Sequence, residues 1–156
     1  MLRVGATAPA IDAATSNGAR FVLSEQKGLC TVLYFFPKAF TPGCTAETKL
    51  FRVNYNELRL AGAGVVGIST DDARTQCSFA QQLRAPFPMI PDTDQAISRA
   101  YDVLYPLVGL ARRVTYVVGP DRRIEAAYNH LLDVKRHRDQ VLNFVNAKFR
   151  RTRGRG

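Results

Sequence analysis

No apolar run in this chain approaches the ~20 residues that a helix needs to cross a bilayer, so nothing in it reads as a membrane span. The N-terminus lacks the charged-then-apolar leader of an exported protein, which makes the cytoplasm the expected location. There is no Cys-x-x-Cys and no Cys/His cluster, which argues against a metal site and against thioredoxin-type disulfide reduction. Three cysteines, Cys30, Cys44 and Cys77, are too few and too oddly numbered for a secreted disulfide framework. Repeats, linkers and low-complexity tracts are also missing before the C-terminal tail. His130 and His137 stand in no metal or triad spacing and read as a loop residue and a helix-surface residue.

What remains is enough for one domain with a real core: 156 residues, 46% of them hydrophobic. Residues 1–149 are expected to form that domain, and 150–156 a basic, frayed tail. The net charge of +9 suggests nucleic acid at first sight, but its distribution does not: Met1 to Val134 carries an excess of only +2, and Lys135 to Gly156 supplies +7. No helix-turn-helix, zinc-finger or RNA-motif pattern accompanies the charge, so specific nucleic-acid binding is not expected.

Strand and helix signals alternate along the chain. Ala10 to Ala13 and Arg20 to Leu23 flank Thr15-Ser16-Asn17-Gly18, which predicts an N-terminal β-hairpin with an Asn-Gly turn. Cys30 to Phe36 is a continuous apolar run, as expected of a strand covered on both faces. A helix is expected over Cys44 to Leu60, with Leu50, Phe51, Val53, Tyr55 and Leu58 inward. A buried strand over Gly64 to Ser69 comes next. Asp71 or Asp72 caps a helix to about Leu83, Phe87 to Ile90 reads as a short strand, and Asp94 to Tyr101 as a short helix. Arg113 to Val118 and Ile124 to Tyr128 form a second hairpin through Gly119-Pro120-Asp121-Arg122. An amphipathic helix with Val134, Val141, Leu142, Val145 and Phe149 on one side ends the chain. The pattern is that of a layered α/β domain.

The segment Pro37-Lys38-Ala39-Phe40-Thr41-Pro42-Gly43-Cys44 carries the chemistry. It leaves a buried strand and opens a helix at once, with Thr41 at the N-cap, Pro42 at the first helical position and Cys44 two residues further, at N3. A sulfur placed there faces free backbone N–H groups and the positive end of the helix dipole, a setting that favours thiolate over thiol. Ionisation alone falls short. A thiol of ordinary pKa is about 3% ionised at pH 7, so full ionisation gains at most about thirtyfold. Catalysis would need further groups acting on the substrate; without them Cys44 is an inert buried thiol and Thr41 a cap.

Pro37, Thr41 and Cys44 reproduce the spacing Pro-x-x-x-Thr-x-x-Cys, which resembles the active-site pattern of peroxiredoxins. The longer string from Tyr34 to Glu47 is similar to the bacterioferritin-comigratory, or Q-type, branch. The resemblance runs from Gly5-Ala6-Thr7-Ala8-Pro9, through Gly67-Ile68-Ser69-Thr70-Asp71, to Arg113-Val114-Thr115-Tyr116-Val117-Val118, leaving out the tail. It implies a thioredoxin-like fold, with a central mixed β-sheet flanked by helices. It also implies a thiol-dependent peroxidase that acts on hydrogen peroxide and organic hydroperoxides without metal, haem or flavin. Thioredoxin or another small thiol would supply the electrons, and the branch favours a monomer. The rival on the same fold is a peroxide sensor or redox relay that does not turn over.

The resemblance also assigns roles. Cys44 is the peroxidatic cysteine, the Thr41 hydroxyl contacts peroxide, and Pro37 shields the sulfur from water. An arginine stabilises both the thiolate and the breaking O–O bond, and Thr41, that arginine and the Cys44 N–H form the donor set. Arg112 and Arg113 are adjacent, so strand alternation sends them to opposite faces. Arg113 is the choice because the family's arginine directly precedes an aliphatic-Thr/Ser-aromatic run, here Val114-Thr115-Tyr116. Glu47 matches an acidic position of the branch and either orients Arg113 or is an ordinary first-turn glutamate. The commonest Q-type form has its resolving cysteine five residues after the peroxidatic one, where this chain has Lys49. Another subset places it on the next helix, where Cys77 stands. Either Cys77 resolves, after local unwinding of the Cys44 helix, or it is a packed or surface thiol and an external thiol completes the cycle. Cys30 is expected to fill core.

Overall fold

The computed structural model of the protein describes residues 1–129 and 134–150, without the side chains of residues 134, 135, 137, 149 and 150. His130, the side chains of His137, Val134 and Phe149, and the tail beyond Arg150 lie outside the described residues. In chain order the elements are β1 (Asp12–Ala14), β2 (Arg20–Val22), β3 (Cys30–Phe35), α1 (Pro42–Val53), α2 (Tyr55–Leu60) and β4 (Ala63–Ser69). There follow α3 (Ala73–Gln82), β5 (Met89–Pro91), α4 (Ala96–Ala100), β6 (Val114–Val118), β7 (Ile124–Asn129) and α5 (Val134–Val145).

The apolar run read from the sequence becomes the middle strand of a five-stranded mixed sheet ordered β5-β4-β3-β6-β7. β3 pairs in parallel with β4 and antiparallel with β6, and every residue of β3 is buried. Alternation divides its side chains between two cores. Val32, Tyr34 and Phe36 share one face with Phe51 of α1, Leu58 of α2, Phe79 of α3 and Val141 and Val145 of α5. Leu33 and Phe35 share the other with Phe21, Tyr101, Val103 and Tyr116. A sheet sandwiched between helices, with the N-terminal hairpin beside it, is the thioredoxin-like arrangement expected.

Local boundaries differ where a side chain outbids the periodic pattern. The helix expected over Cys44 to Leu60 is two helices broken at Asn54, whose backbone N–H and side-chain amide both donate to the Leu50 carbonyl. Val53 lies off the α1 face formed by Cys44, Glu47, Thr48 and Phe51, and is exposed at 70% instead of facing the core. The first hairpin closes with a five-residue loop, because β1 and β2 pair Ala14 with Arg20 and the Thr15 N–H donates to the Ala19 carbonyl. Gly18, at φ +90°, provides the left-handed step within it. α4 starts later than expected, after Gln95 in the left-handed region, and Asp92 accepts from the Ile97 and Ser98 N–H groups at its start.

Candidate active site

β3 ends at Phe35, Phe36 is buried at the sheet's carboxyl end, and the chain reaches α1 within six residues. Sites in α/β sheets lie at such ends. The connecting loop is held at two points. The Ala39 N–H donates to Asp71 Oδ2 at 2.8 Å, and the Phe40 ring packs edge-on against Phe79, with centroids 5.3 Å apart. Phe40 itself has φ +66°, a strained conformation for a side chain of that size, retained by those two anchors. Asp71 also accepts from Ser69 Oγ at 2.8 Å, and Gln76 donates to the same hydroxyl and to the Ile90 carbonyl. The active-site loop is thereby tied to β4, β5 and α3.

α1 begins at Pro42, so Cys44 occupies its first turn as the sequence indicates, and its side chain is fully buried among Tyr34, Phe36, Phe51 and Phe79. Thr41 has the extended backbone of an N-cap, but its hydroxyl does not cap. It donates to the Lys38 carbonyl at 2.7 Å, so Thr41 holds the expected N-cap position without the side-chain cap bond. With its proton committed, the oxygen presents lone pairs instead. Pro37, half-buried, closes the strand side of the loop.

Arg113, just before β6 and 5% exposed, brings Nη2 to 3.6 Å from Cys44 Sγ, while its Nη1 donates to Glu47 Oε1 at 2.9 Å. Glu47 is 1% exposed, so this ion pair is removed from water. Burial pushes the Glu47 carboxyl up to about 7, against the pull of Arg113 in the opposite direction. Tyr34 belongs to the same buried cluster as Cys44: its hydroxyl lies 3.2 Å from Thr48 Oγ1, and burial pushes its ionisation well up. Arg112 goes the other way, as alternation requires, with its guanidinium 5.3 Å from the centre of the Tyr105 ring. A sulfur faced by a fixed cation, which is itself braced by a buried carboxylate, is equipped for nucleophilic chemistry that develops negative charge.

The profile of the AhpC/TSA family matches residues 4–127. The chain belongs to that family. It is 34% identical over 144 residues to a protein named Peroxiredoxin Q, chloroplastic, from Gentiana triflora, covering 92% of this chain and 66% of that protein. The chain thus spans just under two thirds of that relative's length. Among solved structures, the peroxidoxin BcpB of Mycobacterium tuberculosis superposes with a TM-score of 0.89 at 30% identity, covering 95% of this chain and 99% of that one. Xanthomonas campestris Peroxiredoxin Q superposes with a TM-score of 0.81 at 30% identity, covering 88% and 90% of the two chains. Within the AhpC/TSA family these similarities place the protein on the Q-type peroxiredoxin branch.

Besides Cys44 this Q-type peroxiredoxin has two further cysteines, Cys30 and Cys77. All three are free thiols. Cys77 is partly exposed on α3 and lines a cavity of about 260 Å³ with Ser16, Asn17, Arg84, Phe87 and Pro88, a lining that does not include Cys44. The two are not joined in this state. Cys30 is 3% exposed at the start of β3, and burial pushes its thiol up to about 12, in keeping with a core role. Three contributors escaped sequence reading. Asp71 was weighed as a helix cap, yet Asp72 caps α3, through the Thr75 N–H at 2.7 Å, and Asp71 holds the active-site loop. The adjacent acidic pair was the available signal, since one helix has room for one cap. Tyr34 and Thr48 carried no polar signal within their apolar surroundings. No helix among the described residues is long and apolar enough to cross a membrane.

Proposed function

We propose that the protein is a thiol-dependent peroxidase in which Cys44 is the peroxidatic cysteine. The observation that carries this reading is the 3.6 Å approach of Arg113 Nη2 to Cys44 Sγ, with the guanidinium braced on buried Glu47. The Cys44 thiolate attacks one peroxide oxygen, the O–O bond breaks, and its electron pair leaves with the other oxygen. That oxygen takes up a proton to become water or an alcohol. Sulfur is oxidised by two electrons to the sulfenic acid and the peroxide is reduced. Arg113 offsets negative charge on the sulfur before attack and on the departing oxygen during it. Thr41, which donates to Lys38, accepts a hydrogen bond from the peroxide O–H, and so orients the substrate. Pro37 and the anchored loop exclude water. Glu47 acts through Arg113.

Cys77 is the resolving thiol in this proposal. Its sulfur attacks the Cys44 sulfenic acid, water leaves, and the disulfide is reduced by thioredoxin or another small dithiol. The cysteines must first meet, and α1 is the helix to unwind: its N-terminus has no side-chain cap, whereas α3 is capped by Asp72 and pinned by Gln76. The proposal extends to a monomer working in a reducing compartment, which suits three free thiols.

Mass analysis under non-reducing conditions after one equivalent of peroxide tests the cycle. A Cys44–Cys77 disulfide is expected; trapped Cys44 oxyacid with free Cys77 would remove Cys77 from it. Sustained peroxide consumption with a thiol donor separates the enzyme from a sensor, which would stop after one equivalent.

A further inference from the structure

Gly43 sits in the first turn of α1, between Pro42 and Cys44, where alanine is the better helix former. The fold gives no local reason for glycine there. The reason lies across the site: a Cβ at residue 43 would stand 2.7 Å from Arg113 Nη2 and 3.5 Å from its Cζ. Nη2 is the nitrogen that reaches Cys44 Sγ, at 3.6 Å. An approach of 2.7 Å between carbon and nitrogen has to be relieved by movement. While α1 is folded, before any unwinding toward Cys77, its backbone is held by the buried packing of Cys44 and Phe51. The guanidinium is the end of a long side chain and yields first. Its Nη1 is held by Glu47, so it pivots about that contact and carries Nη2 away from the sulfur.

We infer that the missing Cβ of Gly43 sets the depth at which Arg113 seats against Cys44, which makes Gly43 a positioning residue for peroxide reduction. The inference rests on the reading of Cys44 as peroxidatic. It has an unusual sign: a single methyl group leaves the fold as stable as before, or more so, and weakens the chemistry.

Gly43→Ala tests it on the full chain. The Tm is expected to stay level or rise, while the second-order rate constant for hydrogen peroxide falls about tenfold or more, the scale of one lost charged hydrogen bond. In an Arg113→Met background the same alanine is expected to change the rate less than about twofold, because the group it displaces is gone. A parental rate, a lowered Tm, or an equal loss in both backgrounds overturns the inference. Cys44→Ser, run alongside, keeps the two ideas apart: if it still turns over peroxide, the assignment of Cys44 fails, and if it is dead while Gly43→Ala is unimpaired, only the role of Gly43 fails.

Discussion

Two helices in this molecule carry a cysteine near the amino end, and they treat that end in opposite ways. In α3 the Asp72 carboxylate accepts the Thr75 N–H, which holds its own ionisation below the usual carboxylate range, and Cys77 follows in the second turn, beyond the first amides. In α1 the cap position is occupied by Thr41, whose hydroxyl turns to the Lys38 carbonyl, and Cys44 lies within the first turn with Arg113 across from it. One end is closed by its own sequence and contributes to stability. The other keeps its first-turn amides for whatever charge forms on the sulfur. Cys30 completes the comparison, a thiol with burial and no cation against it, pushed up to about 12. Reactivity follows the surroundings of the sulfur, not its residue type.

The largest effects should follow from removing what α1 has and α3 lacks. Cys44→Ser is expected to abolish hydroperoxide reduction, whereas Cys77→Ser and Cys30→Ser keep the first turnover, measured by stopped-flow loss of one equivalent of peroxide. Arg113→Met should lower the peroxide rate constant by about 10²–10³-fold, the scale of losing one preorganised donor. It also breaks the buried ion pair with Glu47, at a cost of about 3–5 kcal/mol in denaturant unfolding. Combining it with Glu47→Gln should recover most of that stability and none of the rate. A double variant that recovered both would sink the catalytic role of Arg113.

Next come the two caps, where similar substitutions should have different consequences. Thr41→Val removes the acceptor for peroxide and is expected to cost about tenfold in rate, with a Tm change below about 2 °C, because no cap is lost. Asp72→Ala should lower the Tm by about 2–4 °C and leave the first turnover unchanged. If Thr41→Val proved as destabilising as Asp72→Ala, the contrast between the two helix ends would be wrong.

How far the sequence reveals this contrast depends on the range of the interaction. Cys44 in a first turn was legible, because the apolar run of β3, Pro42 and Thr41 each mark the boundary by local chemistry. Arg113 rather than Arg112 was legible from strand alternation joined to a family pattern. The direction of the Thr41 hydroxyl was not, since it depends on where the loop puts the Lys38 carbonyl. Nor was the break at Asn54, which one side-chain amide decides against an otherwise continuous helical pattern. Asp71 and Gly43 gained their roles from partners 32 and 70 positions away in the chain, Ala39 and Arg113, and no local pattern encodes such a meeting.

The smallest expected effect concerns the carboxylate behind the arginine. Glu47 is pushed up to about 7 by burial, above the ordinary carboxylate range it would have in the unfolded chain. Between those two values the native state holds a proton that the unfolded state has released, so stability is greatest on the acid side and declines as pH rises through about 7. Arg113 works against this by favouring the charged form, which limits the decline. The denaturant midpoint is therefore expected to fall modestly between about pH 5 and pH 8, and Glu47→Gln, which has no proton to lose, should flatten that dependence. A parental profile that rises over this interval, or one that Glu47→Gln leaves unchanged, would mean that the ion pair dominates burial at α1. In that case the arginine would sit opposite Cys44 braced by a permanently charged partner.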